Sequence, residues 1–175
     1  MKHIKINVED HKLLNDGTVC EDITSVTLPS FEHPTTPVEN VSGMAMNLNV
    51  PNTTRYNAAE LSIAHNNGEN CESLAEPGTH DIEFRMARQD FNAVDAALKY
   101  EGIKYLAKVM FVATEKGTIE KGNPWGSTCR YSIIRFEEIH TVDGKAETKV
   151  LVDATANKLE VNGVSFTDDL SSLLD

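Results

Sequence analysis

Apolar and polar residues alternate with a period of two along much of this chain, the signature of β-strands with one buried face. The longest such tract is 130–166, RYSIIRFEEIHTVDGKAETKVLVDATANKLEVNGVSF. It is interrupted by Asp143-Gly144, a pair suited to a two-residue type I′ turn, in which both central residues take positive φ. Counting outward from that turn sets Val142 opposite Lys145, Thr141 opposite Ala146, His140 opposite Glu147 and Ile139 opposite Thr148. Continued without a break, the count brings Glu138 opposite Lys149 and Phe136 opposite Leu151. Each matched pair of opposite charges near the tip contributes a few tenths to ~1 kcal/mol. A short turn at 154–157 then leads to a third strand, where Leu159 and Val161 alternate with Lys158, Glu160 and Asn162. The pattern predicts a β-meander whose register is specified by its own side chains.

The same alternation recurs upstream. Residues 3–8 set Ile4 and Ile6 against Lys5 and Asn7. After the turn signal Asn15-Asp16-Gly17, residues 18–28 read as a strand that is irregular near Glu21-Asp22 and is closed by Pro29. In 43–51, Met44, Met46, Leu48 and Val50 oppose Ala45, Asn47 and Asn49. Further strands are expected over 58–65, 80–89 and 103–114. Residues 30–42 carry Pro34 and Pro37 without sustained periodicity, which predicts an extended loop or arm. Its apolar Phe31, Val38 and Val41 would bury against the chain's own body or against a neighbouring subunit.

One stretch has a helical rather than a strand signature. In DFNAVDAALKYEG (90–102), Asp90 offers an N-cap, Phe91, Val94, Ala97 and Leu98 share a face, and Gly102 supplies a stop. A helical turn within 69–76 and a short terminal helix, DDLSSLLD, capped by Thr167 are also expected. The predicted fold is mainly β (α+β): seven to nine strands in an antiparallel sandwich or partly closed barrel, with one packed helix. At 175 residues, 1–175 is expected to be a single domain with an arm at about 30–43.

Composition narrows the function classes. The apolar fraction of 40% is that of a chain with a core. MKHIKINVED lacks the apolar segment of a secretory signal and no membrane-spanning run is present, so a soluble protein made in the cytoplasm is expected. A net charge of −11 disfavours phosphate-neutralising DNA binding. Cys20, Cys71 and Cys129 show neither a zinc spacing nor a disulfide framework. Gly117 and Gly122 have the spacing of a phosphate loop, but Asn123-Pro124 stands where Lys and Ser or Thr are required. His3, His11, His33, His65, His80 and His140 are scattered without ligand spacing, and His140 reads as a surface partner of Glu147. No catalytic, metal or cofactor residue is expected.

Three ordered blocks carry a family likeness. They are DGTVCEDITSVTLPSFEHPTTPVENVSGMAMNLNV, then DFNAVDAALKYEG, then RFEEIHTVDGKAETKVLVDATANKLEVNGV. Together they resemble the major tail tube protein of contractile-tailed phages, a family shared with phage-tail-like bacteriocins. Residues 52–79 and 117–128 depart from the usual pattern. The resemblance implies a structural subunit that self-assembles into stacked hexameric rings inside a sheath, with baseplate or initiator and terminator proteins as partners. DNA would be only passing cargo, and no membrane binding is implied. The residues expected at inter-subunit contacts are Phe31, Pro34, Pro37, Val38, Val41, Met44 and Met46. Phage virion, headless bacteriocin and secretion-type tube are not separated by these residues. A small-ligand or protein-binding β module, with 117–128 as its pocket mouth, is the alternative.

Overall fold

In the computed structural model, which describes residues 3–39, 42–43, 45–66, 73–142 and 144–167, the turns form where positive φ was demanded. Asp16 (φ 48°) and Gly17 (φ 81°) reverse the chain so that Asn15 lies opposite Thr18. Gly144 (φ 78°) does the same with Val142 opposite Lys145. Between such turns run β1 (His3–Asn15), β2 (Thr18–Cys20), β3 (Ile23–Thr27), β4 (Thr35–Val38), β5 (Leu48–Pro51) and β6 (Glu60–His65). They are followed by a 3₁₀ turn at Ser73–Ala75, β7 (Thr79–Asn92), β8 (Ala97–Lys116), β9 (Ser127–Val142), β10 (Lys145–Asp153), β11 (Lys158–Val161) and β12 (Val164–Ser165).

All pairings are antiparallel. The main sheet runs β12-β11-β10-β9-β8-β7-β1-β2, and β3 and β6 branch from it through β9. The irregularity expected near Glu21-Asp22 is real. Asp22 adopts φ 60°, ending β2 on β1 and starting β3 on β6. The ladder thus curls from β1 round to β6 and back to β9 but is interrupted between β2 and β3, giving a partly closed barrel.

Alternation decides what fills it. Leu61 and Ile63 of β6, Ile103, Tyr105, Ala107 and Val109 of β8, and Cys129 and Tyr131 of β9 are buried, joined by Leu13 and Ile82. Leu74 of the 3₁₀ turn plugs this core, and its carbonyl accepts the Tyr131 hydroxyl at 2.5 Å. The core continues through Phe136, Val152 and Leu159, which lie in one row across β9, β10 and β11.

That row corrects the predicted meander. The first four pairs stand as counted, but a one-residue shift between Thr148 and Val150 sets Val150 opposite Glu138 and Val152 opposite Phe136. The bulge turns Val150 and Val152 toward the core and replaces the expected Glu138–Lys149 and Phe136–Leu151 pairs.

The helix over 90–102 is also corrected: the segment is the turn end of the β7–β8 hairpin, with Phe91 opposite Leu98 and Gly102 in mid-strand opposite Thr141. The chain reverses over 93–96. The Asn92 side chain accepts from the Val94 amide (3.0 Å) and donates to Asp95 (2.7 Å), and Ala96 takes φ 51°. Helix propensity is a weak prior, and here strands on both flanks, β1 and β9, offer backbone partners that an isolated helix would forgo. The one 3₁₀ turn is the only helical element among the described residues.

Other boundaries moved. The first strand continues to Asn15, and among the described residues of 43–51 only Leu48–Pro51 is strand. The predicted terminal helix and Cys71 lie outside the described residues.

Two substitutions test this arrangement by equilibrium urea unfolding. Ala96→Gly relieves a left-handed residue and is expected to stabilise by a few tenths to ~1 kcal/mol, whereas in a helix it would cost about as much. Tyr131→Phe strands the buried Leu74 carbonyl and is expected to cost about 1–2 kcal/mol.

Candidate assembly interface

Each backbone N–H and C=O not paired within the sheet is a binding group in waiting. β1 pairs with β7 along its length but meets β2 only at Leu13 to Asn15, so the outer edge of residues 3–12 has no strand partner among the described residues. On the opposite side of the same sheet, β10 meets β11 only from Val150 onward, leaving the edge of 145–148 open among the described residues. Ile4, Ile6 and Val8 along the β1 edge are 43%, 47% and 53% exposed. Leu98 and Tyr100 of β8, on the far side of β7, are exposed apolar residues as well. A long, apolar, open edge is the feature that soluble monomers avoid.

The ends of β1, β7, β8 and β9 project past Ile103, the last buried apolar residue of β8 on that side. Beyond it the inward-facing position is Glu101, 6% exposed. Its carboxylate accepts from Lys5 Nζ of β1 (2.8 Å) and the Arg88 guanidinium of β7 (2.7 Å). His140 of β9 lies 3.3 Å from Glu101 and 2.5 Å from Glu138, and Lys5 also reaches Asp90 at 3.2 Å. His140 is thus turned inward to Glu101 and Glu138, not outward to Glu147 as expected, while Glu147 pairs with Lys149. Burial alone would raise the Glu101 carboxyl, but hydrogen bonds and charge from Lys5 and Arg88 outweigh it and hold the group at about 2.

The proline-containing segment is a hairpin rather than an irregular loop. β4 and β5 form a separate two-stranded sheet, with Val38 opposite Leu48 and Pro37 opposite Asn49. Phe31 anchors its base within the chain, its ring 5.4 Å from Tyr56 and 5.3 Å from Phe136. His33 stacks on Tyr56 at 4.4 Å. The Pro34 carbonyl accepts from the Asn52 amide, closing the hairpin. Further out, Pro37, Leu48 and Val50 are exposed, Val38 is half-buried and Met46 is 70% exposed near the tip. Val41 and Met44 lie outside the described residues. The structure therefore joins Phe31, Pro34, Pro37, Val38 and Met46 in one projection. It also reveals the β1 edge and the Glu101 cluster, neither expected from the sequence. The signal was present, since Glu101, Ile103, Tyr105 and Ala107 continue one alternation that the helix reading cut short.

Two concavities accompany these features. A cleft of about 260 Å³ under the arm is lined by Phe31, Tyr56, Ile133, Val152 and Leu159. Another of about 450 Å³ beside 117–128 is bounded by His65, Glu115, Lys116 and Ser127. There the connection closes on itself, with the Gly117 amide donating to the Gly126 carbonyl at 2.9 Å. No group of three or more His, Cys, Asp or Glu that could hold a metal ion occurs among the described residues.

A family model for phage tail tube protein FII matches residues 7–174. No curated protein matches the sequence. Among solved structures, the chain is similar to the sheath/tube terminator of an extracellular contractile injection system, PVC, in the extended state. That match has a TM-score of 0.51 at 10% identity and covers 76% of this chain and 95% of the other. It shows a shared fold. The PVC sheath-tube complex follows at a TM-score of 0.49 and 10% identity, covering 76% and 90% of the two chains. Hcp1 from Salmonella typhimurium also stands at 0.49, with 12% identity and coverage of 86% and 99%.

The Glu101 cluster has a pH signature. A carboxylate held below its ordinary value of 4.5 stabilises the fold above that value, and the contribution drains away as pH falls toward about 2. Glu101→Gln is therefore expected to lower stability by up to about 3 kcal/mol at pH 7. In urea unfolding from pH 7 to 2, the gap to the unmodified protein should narrow below pH 4.5.

Proposed function

The chain belongs to the phage tail tube protein FII family and is a tube-forming structural subunit of a tail or tail-like particle; on that premise, we propose that six copies close head-to-tail into rings that stack as the inner tube of a contractile tail. The observation that carries the ring is the pair of open edges on opposite sides of one curved sheet, β1 on one side and 145–148 of β10 on the other. An edge that differs from its mate on the same molecule favours heterologous contacts, and these close into a ring when the rotation fits. Pairing would bury the exposed Ile4, Ile6 and Val8 and satisfy the backbone groups beside them.

Stacking of one ring on the next is assigned to the arm. Met46, Leu48 and Val50 are apolar and exposed on a two-stranded sheet that has no body of its own to cover it. Phe31 belongs to the base that holds this arm in place, whereas Pro34, Pro37, Val38, Val41, Met44 and Met46 are assigned to the contact region itself. The net charge of −11 suits a lumen through which DNA slides without being held. Outside the tube the partners are a sheath protein, with baseplate or initiator and terminator proteins at its ends. Assembly takes place in the bacterial host cytoplasm. The whole of 1–175 acts as one subunit with no catalytic residue.

Negative-stain imaging and sedimentation of concentrated protein test the reading. Rings or tubes of tail width are expected. A monodisperse monomer at every concentration and salt would overturn it. Within an assembling protein, Val38→Ser and Met46→Ser are expected to weaken polymerisation about tenfold or more, an effect of roughly 1.4 kcal/mol per contact. The monomer's stability in urea unfolding should change by no more than about 0.5 kcal/mol for the exposed Met46 position. Equal loss of monomer stability and polymerisation would remove the arm from the interface.

A further inference from the structure

The open edge of β1 has an unusual pairing with β7. From Asn15 opposite Ile82 back to Asp10 opposite Ala87 the ladder is regular, but shifts between Asp10 and Val8 and between Val8 and Lys5 insert two extra residues into β1. As a result Lys5 sits opposite Asp90 and Ile4 opposite Phe91. An unshifted ladder would instead place Lys5 opposite Asn92 and Ile6 opposite Phe91. A single shift would place Lys5 opposite Phe91 and Ile6 opposite Asp90.

Apolar burial does not choose among these registers, because Ile4, Ile6 and Val8 are all exposed in the one observed. Charge does choose. With both shifts, Lys5 Nζ lies between Asp90 (3.2 Å) and Glu101 (2.8 Å). Glu101 in turn is tied to Arg88 at 2.7 Å and faces His140 at 3.3 Å, so one carboxylate links β1, β7, β8 and β9. In the unshifted register Lys5 would stand four residues along β7 from Arg88, about 13 Å away along the strand and out of reach of Glu101. In the singly shifted one it would turn to the outer face and drive Ile6 in among the carboxylates, since a one-residue slip reverses every side chain.

We propose that the Lys5–Glu101–Arg88 cluster sets the register of β1 on β7, and thereby decides which backbone groups and side chains the open edge presents to a neighbouring copy. Lys5, Arg88 and Glu101 are positioning residues for assembly in this reading, which rests on the tube function proposed above. They act from the core face of the sheet while the partner would join at its edge. The cluster takes the place of an apolar core at the end of the sheet, where no apolar residue of β8 beyond Ile103 is buried.

The register is read directly by cross-linking within one chain. Ile4→Cys with Phe91→Cys is expected to form an intramolecular disulfide, located by peptide mapping, and Ile6→Cys with Phe91→Cys is not. Adding Lys5→Met or Glu101→Gln should reduce the 4–91 cross-link several-fold and allow a 6–91 link in the Ile6→Cys, Phe91→Cys chain. Lys5→Arg should restore the original pattern. In either charge variant without the introduced cysteines, tube yield should fall while amide exchange over residues 3–8 rises. A 4–91 cross-link of unchanged yield in both Lys5→Met and Glu101→Gln would overturn the proposal. Lys5 is partly exposed, so its replacement keeps the test open should Glu101→Gln fail to fold. The cross-link pattern is a property of the single chain. Failure of the unmodified protein to form tubes would thus count against the tube function and leave the register result standing.

Discussion

A strand has two edges, and each backbone group on an edge can be paired by one neighbour. The architecture of this subunit follows from how β9 divides that capacity. One edge is occupied by β8 over nearly its whole length, and the other is split, with residues 127–132 taken by β6 and 135–142 by β10. The junction is closed by two hydrogen bonds, from the Ile133 amide to Ala59 and from the Ala154 amide to Ile134. Because two strands share one edge, the sheet must part there. The β6 branch curls with β3 toward β2 and β1 to enclose the core, while the β10 branch stays with the extended ends of β1, β7, β8 and β9.

The consequences of that parting differ on the two sides. Inside the curl, alternation buries aliphatic and aromatic side chains, and the Tyr131 hydroxyl finds the Leu74 carbonyl. In the extension past Ile103, no apolar residue of the β8 layer is buried. The inward positions there carry charges that satisfy one another around Glu101, which costs less than exposing apolar residues or leaving a buried carboxylate unpaired. Such a layer cannot hide its edges, and the exposed isoleucines of β1 would be a liability in a protein that stayed monomeric. In the ring proposed above, the same edges would take the next subunit.

The arm extends this logic. A two-stranded sheet is marginal alone in water. Here the rings of Phe31, His33 and Tyr56 pin its base to the body, while its outer half carries apolar side chains with no cover. Both projections combine an internally anchored base with an unfinished surface.

Local chemistry determined much of this from the sequence alone. The Asn-Asp-Gly and Asp-Gly turns, the break at Asp22, the alternating strands and the first four pairs beyond Gly144 depend on φ restrictions and side-chain period, which are properties of a few adjacent residues. The ordered blocks were enough to suggest the family. Tertiary structure alone decided the rest. Residues 90–102 carry a helical period, and the backbone partners offered by β1 and β9 select the hairpin instead. The shift at Lys149 exists because Val152 must meet Phe136 and Leu159, residues distant in the chain. Glu101 reads in sequence as one more surface acid, and it becomes the centre of the extension because four strands bring Lys5, Arg88 and His140 to it. Pairings within a turn's reach are encoded locally, whereas an edge, a bulge or a buried charge is defined by what the rest of the chain places beside it.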